Sequence, residues 1–202
     1  SENTMQNKVG VVILAAGKGK RMQSDLPKLM HLLKGKPLID YPVRVIEQLG
    51  LKPVVVVNDE STLIQDYLGD RAEYAIQKEQ LGTGHALMMA ESTLENKTNH
   101  VVVLYGDMPS LTAVSLQGLI NTHLDQQNCI TMMVVNIPNF ADWRQYFYDW
   151  GRIVRDAAGG ILKIVEKKDC FPIELNILEV NPGVYCFNSQ WLWDNLKKLN
   201  ND

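Results

Sequence analysis

Side chains suited to chemistry cluster in three short stretches. The first, Leu14-Ala15-Ala16-Gly17-Lys18-Gly19-Lys20-Arg21-Met22, follows directly on an apolar run. Small side chains there let a ligand's phosphates approach the backbone, and glycine's freedom of φ lets successive N–H groups converge on an anion. Met22 stands where a GxGxxG motif has its third glycine, and the Gly-Lys-[Ser/Thr] ending of a P-loop is missing. A plain turn therefore accounts for the GxG taken alone. Charge shifts the balance: Lys18, Lys20, Arg21 and Lys28 fall within eleven residues and only Asp25 opposes them. Four cations beside a glycine loop favour a polyphosphate site over solvated surface charge. The second stretch, Gln77-Lys78-Glu79-Gln80-Leu81-Gly82-Thr83-Gly84-His85-Ala86, offers an amide with both donor and acceptor, suited to the imide edge of a pyrimidine, between glycines that allow close approach. Thr83 also suits a helix cap, and His85 reads as structural. The third, Leu104-Tyr105-Gly106-Asp107-Met108-Pro109, ends an apolar run in a carboxylate. Asp107 is either a turn former or a ligand for a hard divalent cation such as Mg²⁺, which takes one or two carboxylates plus phosphate oxygens.

The elements that must hold these stretches follow from periodicity. Continuous apolar, β-branched runs at Val9–Leu14, Pro53–Val57, His100–Tyr105 and Cys129–Val135 predict strands covered on both faces. Helices are expected over Pro37–Leu49, Ser61–Leu68, Thr83–Leu94, Thr112–Gln126 and Gln190–Leu199. The alternation predicts an α/β fold: a Rossmann-like, mostly parallel sheet with helices on both faces. Ligands of such sheets bind at the carboxyl ends of the strands, where the glycine loop sits. Beyond Pro138 the pattern changes. An aromatic, irregular stretch at Asn139–Tyr148 precedes a hairpin signal, Gly151–Arg155 and Ile161–Glu166 about Asp156-Ala157-Ala158-Gly159-Gly160, and then a strand over Val180–Phe187. This predicts an antiparallel extension attached to the α/β core rather than an independent domain.

Leu14 to Met22, followed by Leu26-Pro27-Lys28, resembles the signature of sugar-phosphate nucleotidyltransferases, most closely the uridylyltransferase domain of bacterial bifunctional N-acetylglucosamine-1-phosphate uridyltransferase/glucosamine-1-phosphate acetyltransferases. Lys20 stands where that family usually carries Thr. Three further stretches are similar to family motifs: Trp150-Gly151-Arg152-Ile153-Val154, Ile164-Val165-Glu166-Lys167-Lys168-Asp169 and Glu179-Val180-Asn181-Pro182-Gly183-Val184-Tyr185. The matches run in order from about residue 9 to 199. The resemblance implies that Leu14, Ala15, Ala16 and Gly17 bind nucleotide, that Gln77, Gly82 and Thr83 contact uracil, and that Gly151, Glu166 and Asn181 in the extension face the sugar. It implies Mg²⁺ on Asp107, with Arg21 and Lys28 as the catalytic cations. Pro182 replaces a small hydroxylated residue and brings no backbone N–H. The expected reaction joins UTP and N-acetylglucosamine 1-phosphate to give UDP-N-acetylglucosamine and pyrophosphate, a step of cell-envelope precursor synthesis. Another hexose-1-phosphate nucleotidyltransferase using UTP or dTTP, or a non-catalytic nucleotide-binding module, are the competing readings.

Composition bounds the partners. Hydrophobic residues make up 46% and charged residues 21%, and 20 basic against 23 acidic side chains leave a net charge of −3. A general nucleic-acid binder shows a basic excess, so none is expected. Nor is a membrane partner, since no apolar run approaches the ~18 residues of a span. Three cysteines, Cys129, Cys170 and Cys186, form no CxxC and suit reduced thiols in the cytoplasm. Residues 1–202 are expected to be a single nucleotidyltransferase domain shortened at its carboxyl end. The resembled domain supplies a second metal ligand, Asn or Asp, further along, and a left-handed β-helix acetyltransferase domain through which the family trimerises. The expectation is thus a monomer or weak oligomer that binds nucleotide and turns over poorly.

Overall fold

A computed structural model describes residues 8–17 and 26–199. In chain order the elements are β1 (Val9–Leu14), β2 (Leu32–Leu33), β3 (Lys36–Pro37), α1 (Asp40–Gln48), β4 (Val54–Asn58), α2 (Leu63–Leu68), β5 (Glu73–Gln77), α3 (Thr83–Met88), α4 (Glu91–Leu94), β6 (His100–Tyr105), α5 (Ala113–Gln126), β7 (Ile130–Met132), β8 (Val135–Asn136), β9 (Gly151–Arg155), β10 (Ile161–Val165), β11 (Glu179–Asn181), β12 (Tyr185–Asn188) and α6 (Ser189–Leu199). The chain divides into two compact units, one of residues 1–131 and 185–202, the other of residues 132–184.

The first unit is built on a six-stranded sheet in the order β5-β4-β1-β6-β12-β7. Strands β5, β4, β1 and β6 run parallel, and β12 returns antiparallel to β6. Val and Ile fill β1, β4 and β6 because both faces are covered: Val12, Ile13, Val55, Val56, Val102 and Leu104 are all fully buried. Leu14 pairs with Val56 and Tyr105, and Asn58 pairs with Gln77. This register brings the loops after β1, β4, β5 and β6 out along one edge of the sheet. Helix α5 is started by a capping box: Thr112 Oγ1 accepts from Ser115 N at 3.2 Å and Ser115 Oγ accepts from Thr112 N at 3.3 Å. Asp40, fully buried at the start of α1, accepts from Arg44, from Arg71 Nη1 at 2.9 Å and from Tyr67 Oη at 3.1 Å. Burial alone raises its pKa, but the bonds from Arg71, Arg44 and Tyr67 outweigh that and hold the carboxyl below its usual range.

The second unit carries a four-stranded antiparallel sheet in the order β10-β9-β11-β8. Asp156 Oδ1 organises the β9–β10 turn by accepting from Ala158 N and Gly160 N, each at 2.9 Å, and Gly159 takes φ +85° there. Ile137, Phe147 and Val180 form its core with Phe140 and Trp150 alongside. Arg152 lies fully buried among them, its guanidinium 4.7 Å from the Phe140 ring centre and 5.1 Å from that of Tyr148. It donates to the carbonyls of Tyr148, Trp150 and Leu175, so this cation is held by backbone dipoles and ring faces.

The α/β class and the mostly parallel sheet are as the sequence predicts, and antiparallel strands follow Pro138 as expected, in the second compact unit. Several element boundaries differ. Cys129–Val135 is two strands, β7 and β8, in different sheets, because the backbone changes partners after Met132. Val180–Phe187 is likewise β11 and β12, parted where Pro182 lacks an N–H and Gly183 takes φ +75°. The helix expected from Pro37 begins at Asp40. Pro37 instead closes a two-residue hairpin whose Lys34 and Gly35 both have positive φ. Thr83–Leu94 is broken after Met88 into α3 and α4.

Candidate functional site

A cavity of about 670 Å³ opens at the carboxyl ends of β1, β4, β5 and β6. Leu14, Ala15, Ala16 and Gly17 line it, joined by Asn58 and Ser61 at and after the end of β4, Gln77, Gln80, Gly82 and Thr83 at and after the end of β5, Tyr105–Asp107 at and after the end of β6, and Leu26–Leu29. All lie in the first unit. The glycine loop leaves β1 held by sheet-like bonds: Ala15 N donates to Val56 O at 2.8 Å and Gly106 N donates to Leu14 O at 3.2 Å. Gly106 packs closely against its neighbours: a Cβ there would stand 2.6 Å from Leu29 Cδ1 and 3.0 Å from the buried Ile39 Cδ1, so the Leu29 side chain would have to shift.

Lys28 and Asp107, 79 residues apart, meet in the cavity, with Lys28 Nζ donating to Asp107 Oδ2 at 2.6 Å. Both remain partly accessible, with side chains 50% and 34% exposed, so the carboxylate and the ammonium can each exchange this partner for a ligand. Pro27 directs the chain in extended geometry into the single helical turn that carries Lys28. Among the described residues no group of three or more His, Cys, Asp or Glu side chains converges on one point. Asp107 offers one carboxylate to the cavity and Glu60 also lines it; a hard cation takes one or two carboxylates, with phosphate oxygens completing its shell. Arg21, with Lys18 and Lys20, lies outside the described residues.

Gln77 is buried and gives both of its amide N–H groups to the protein, to Gly82 O at 3.2 Å and to His85 Nδ1 at 2.9 Å. The Gly82 carbonyl can only accept, which fixes the orientation of the amide and makes His85 Nδ1 the acceptor. Of the donor and acceptor expected at Gln77, its Oε1 is the atom these bonds leave unengaged. Gly82 has φ +103° and ψ 178°, a region open essentially to glycine alone, and it occupies the cap position of α3 that the sequence assigned to Thr83. Thr83 is the first helical residue and still faces the cavity.

The second unit gathers its own three expected residues. Gly151 is the cross-strand partner of Asn181. A Cβ on Gly151 would stand 3.3 Å from Val165 O and 3.5 Å from Glu166 Oε1. Asn181 Oδ1 accepts from Gly183 N at 2.9 Å, fixing one end of its amide. Sequence reasoning passed over Asn58, Gln80 and Tyr105 as cavity residues. Asn58 is the first polar side chain after an apolar run, and Gln80 sits inside a stretch already singled out, so both carried a positional signal.

Comparison with known proteins finds relatives along most of the chain. The family model described as the MobA-like NTP transferase domain matches residues 11–157. A bifunctional protein GlmU from Acetivibrio thermocellus is 43% identical over 194 residues, covering 95% of this chain and 40% of that protein. Its counterpart from Streptococcus agalactiae is 40% identical over 190 residues, covering 94% and 40%. The chain thus spans about 40% of the length of these relatives. Among solved structures, HddC from Yersinia pseudotuberculosis complexed with GMP-PN superposes with a TM-score of 0.71 at 23% identity, covering 93% of this chain and 79% of that one. A UDP-glucose pyrophosphorylase complexed with UDP-glucose gives 0.68 at 19% identity, covering 95% and 80%. These two likenesses establish the shared fold.

Proposed function

Since this chain belongs to the MobA-like NTP transferase family, we propose that it transfers a uridylyl group from UTP to N-acetylglucosamine 1-phosphate, giving UDP-N-acetylglucosamine and pyrophosphate. One observation carries the reading: a single cavity joins the glycine loop, the Gln77–Thr83 loop and the Lys28–Asp107 pair. The similarity to bifunctional GlmU proteins supports the choice of nucleotide and sugar.

In this reading Leu14, Ala15, Ala16 and Gly17 receive the nucleotide through their backbone. Gln77 Oε1 accepts the N3–H of uracil, with Gly82 and Thr83 bordering the base. A phosphate oxygen of the sugar phosphate attacks the α-phosphorus, and pyrophosphate leaves in line. That oxygen is already ionised near neutrality, so the protein's task is positioning and charge stabilisation. Lys28 neutralises charge gathering at the α-phosphate once it turns from Asp107, and Arg21 holds the nucleotide phosphates and the departing pyrophosphate. Nucleotidyltransferases of this family generally use divalent metal ions. We assign Mg²⁺ to Asp107, where the ion when bound supplies further positive charge to phosphate oxygens. Gly151, Glu166 and Asn181 hold the sugar, with Glu166 accepting hydroxyl protons and Asn181 both donating and accepting. The free cysteines, of which buried Cys186 has its thiol pushed up to about 12, fit a reducing cytoplasm. No helix among the described residues is long and apolar enough to cross a membrane.

Pyrophosphate release from UTP, dTTP, CTP and GTP against a panel of hexose and hexosamine 1-phosphates tests the reading. Release confined to UTP with N-acetylglucosamine 1-phosphate supports it. Preference for another hexose phosphate moves the sugar assignment to Pro182 and its neighbours, and UTP binding without product favours a binding module.

A further inference from the structure

Two side-chain amides from distant parts of the chain converge on one carbonyl of the glycine loop. Asn58 Nδ2 donates to Ala16 O at 3.2 Å and Gln80 Nε2 donates to the same atom at 2.9 Å. Asn58 sits at the end of β4, 42 residues from Ala16, and Gln80 lies in the loop after β5, 64 residues away. The Asn58 amide is fixed at its other end as well, because its Oδ1 accepts from Glu60 N at 3.1 Å. Ala16 itself is 1% exposed. Among the described residues, leaving out its chain neighbours, Gly17 has no heavy atom within 4 Å of where a Cβ would stand. Glycine's wide φ range would let the Ala16–Gly17 peptide turn over unless its carbonyl were held. In a planar trans peptide the C=O and the following N–H point opposite ways. Fixing the Ala16 carbonyl thus fixes the Gly17 N–H, one of the donors a phosphate would use.

We propose that Asn58 and Gln80 are positioning residues that hold the Ala16–Gly17 peptide in its phosphate-binding orientation, and that Gln80 thereby couples the loop reading the base to the loop gripping the triphosphate. The inference rests on the nucleotide reading given above. Neither residue touches the substrate in this role; each acts through Ala16. Preorganised backbone donors bind an anion without a reorganisation cost, so loss of the clamp falls on phosphate affinity and not on the base.

The test uses two uncharged, near-isosteric variants, Asn58→Leu and Gln80→Met, each of which removes the N–H from the Ala16 carbonyl without adding charge to the cavity. Affinities for UTP and for uridine are measured by calorimetry, with the melting midpoint of each protein. Each variant is expected to weaken UTP about tenfold, the scale of one hydrogen bond lost, with uridine affinity unchanged within about twofold on the same scale and the midpoint close to wild type. The double variant should lose less than the product of the two single effects, because both act on one peptide. Unchanged UTP affinity in both variants overturns the clamp. So does an equal loss for uridine, which would make the residues base contacts. A variant that melts early is set aside in favour of the other, which reaches the same carbonyl from a different part of the chain. Wild-type protein with no affinity for UTP overturns the nucleotide reading together with the inference; wild-type affinity with indifferent variants overturns the inference alone.

Discussion

Lys28→Ala separates catalysis from stability at this site. The Lys28 Nζ to Asp107 Oδ2 bond is short, at 2.6 Å, but the two side chains remain 50% and 34% exposed. An ion pair so open to water contributes at most ~1 kcal/mol to folding. For a chain of this size that is a melting shift of only ~2–4 °C. If Lys28 instead stabilises charge at the reacting phosphate, its removal costs turnover on the scale of a lost transition-state donor, ~10²-fold or more. Steady-state pyrophosphate release and a thermal melt on the same preparation measure the two quantities together. The expected outcome is a large fall in kcat/KM beside a nearly unmoved midpoint. A fall of less than about threefold would refute the assignment, being below the loss of even one ordinary hydrogen bond. A midpoint lowered by more than ~8 °C would show that the pair is a structural prop, contrary to its exposure.

Asp107→Ala should weaken Mn²⁺ binding followed by electron paramagnetic resonance, and an unchanged titration rejects Asp107 as a ligand. Gly82→Ala forces a Cβ onto φ +103° and ψ 178°, a strain of ~1–3 kcal/mol; a midpoint and UTP affinity equal to wild type would show that the loop relaxes without loss. Arg152→Met leaves the Tyr148, Trp150 and Leu175 carbonyls without their donor and should cost at least ~3 kcal/mol by urea unfolding, with a loss under ~1 kcal/mol counting against the role. His100 and His123 stack edge to face at 5.1 Å, with His100 Nδ1 and His123 Nε2 unpartnered among the described residues. Burial lowers both pKa values, and His100 lowers that of His123 further. The neutral forms are thus favoured in the folded state, so their stabilising effect is complete above the unfolded value near 6.5 and is lost as pH falls below it. Urea midpoints should drop between pH 7.5 and pH 5, above the range in which the carboxylates titrate, and His123→Gln should flatten the drop; parallel slopes in both proteins would refute the pair as its source.

The site was legible where chemistry and chain order coincide. Gly17 and Asp107 each follow an apolar strand in the sequence, and a parallel sheet must bring such positions to one edge. The meeting of Lys28 with Asp107 was less visible, because it depends on how a short turn after Pro27 folds back. Asn58 and Gln80 were passed over for a related reason. Their targets are backbone atoms, and a side chain that serves a carbonyl leaves no motif of its own. Strand limits failed at residues 129–135 and 180–187 because an apolar run does not record which sheet it joins. Arg152 could not be read as buried, since the ring faces and carbonyls that hold it come from positions 140, 148, 150 and 175.

The two ends of the second unit lie side by side, where Met133 N donates to Val184 O at 2.9 Å. A segment that departs and comes back at neighbouring points can vary without altering the path of the chain on either side. Whatever its length, Tyr185 resumes opposite Val103, and the alignment of the parallel strands is set without it. Insertions, deletions or wholesale replacement between those ends therefore leave Leu14 paired with Val56 and Tyr105, so the starts of the loops that carry Gly17 and Asp107 keep their register.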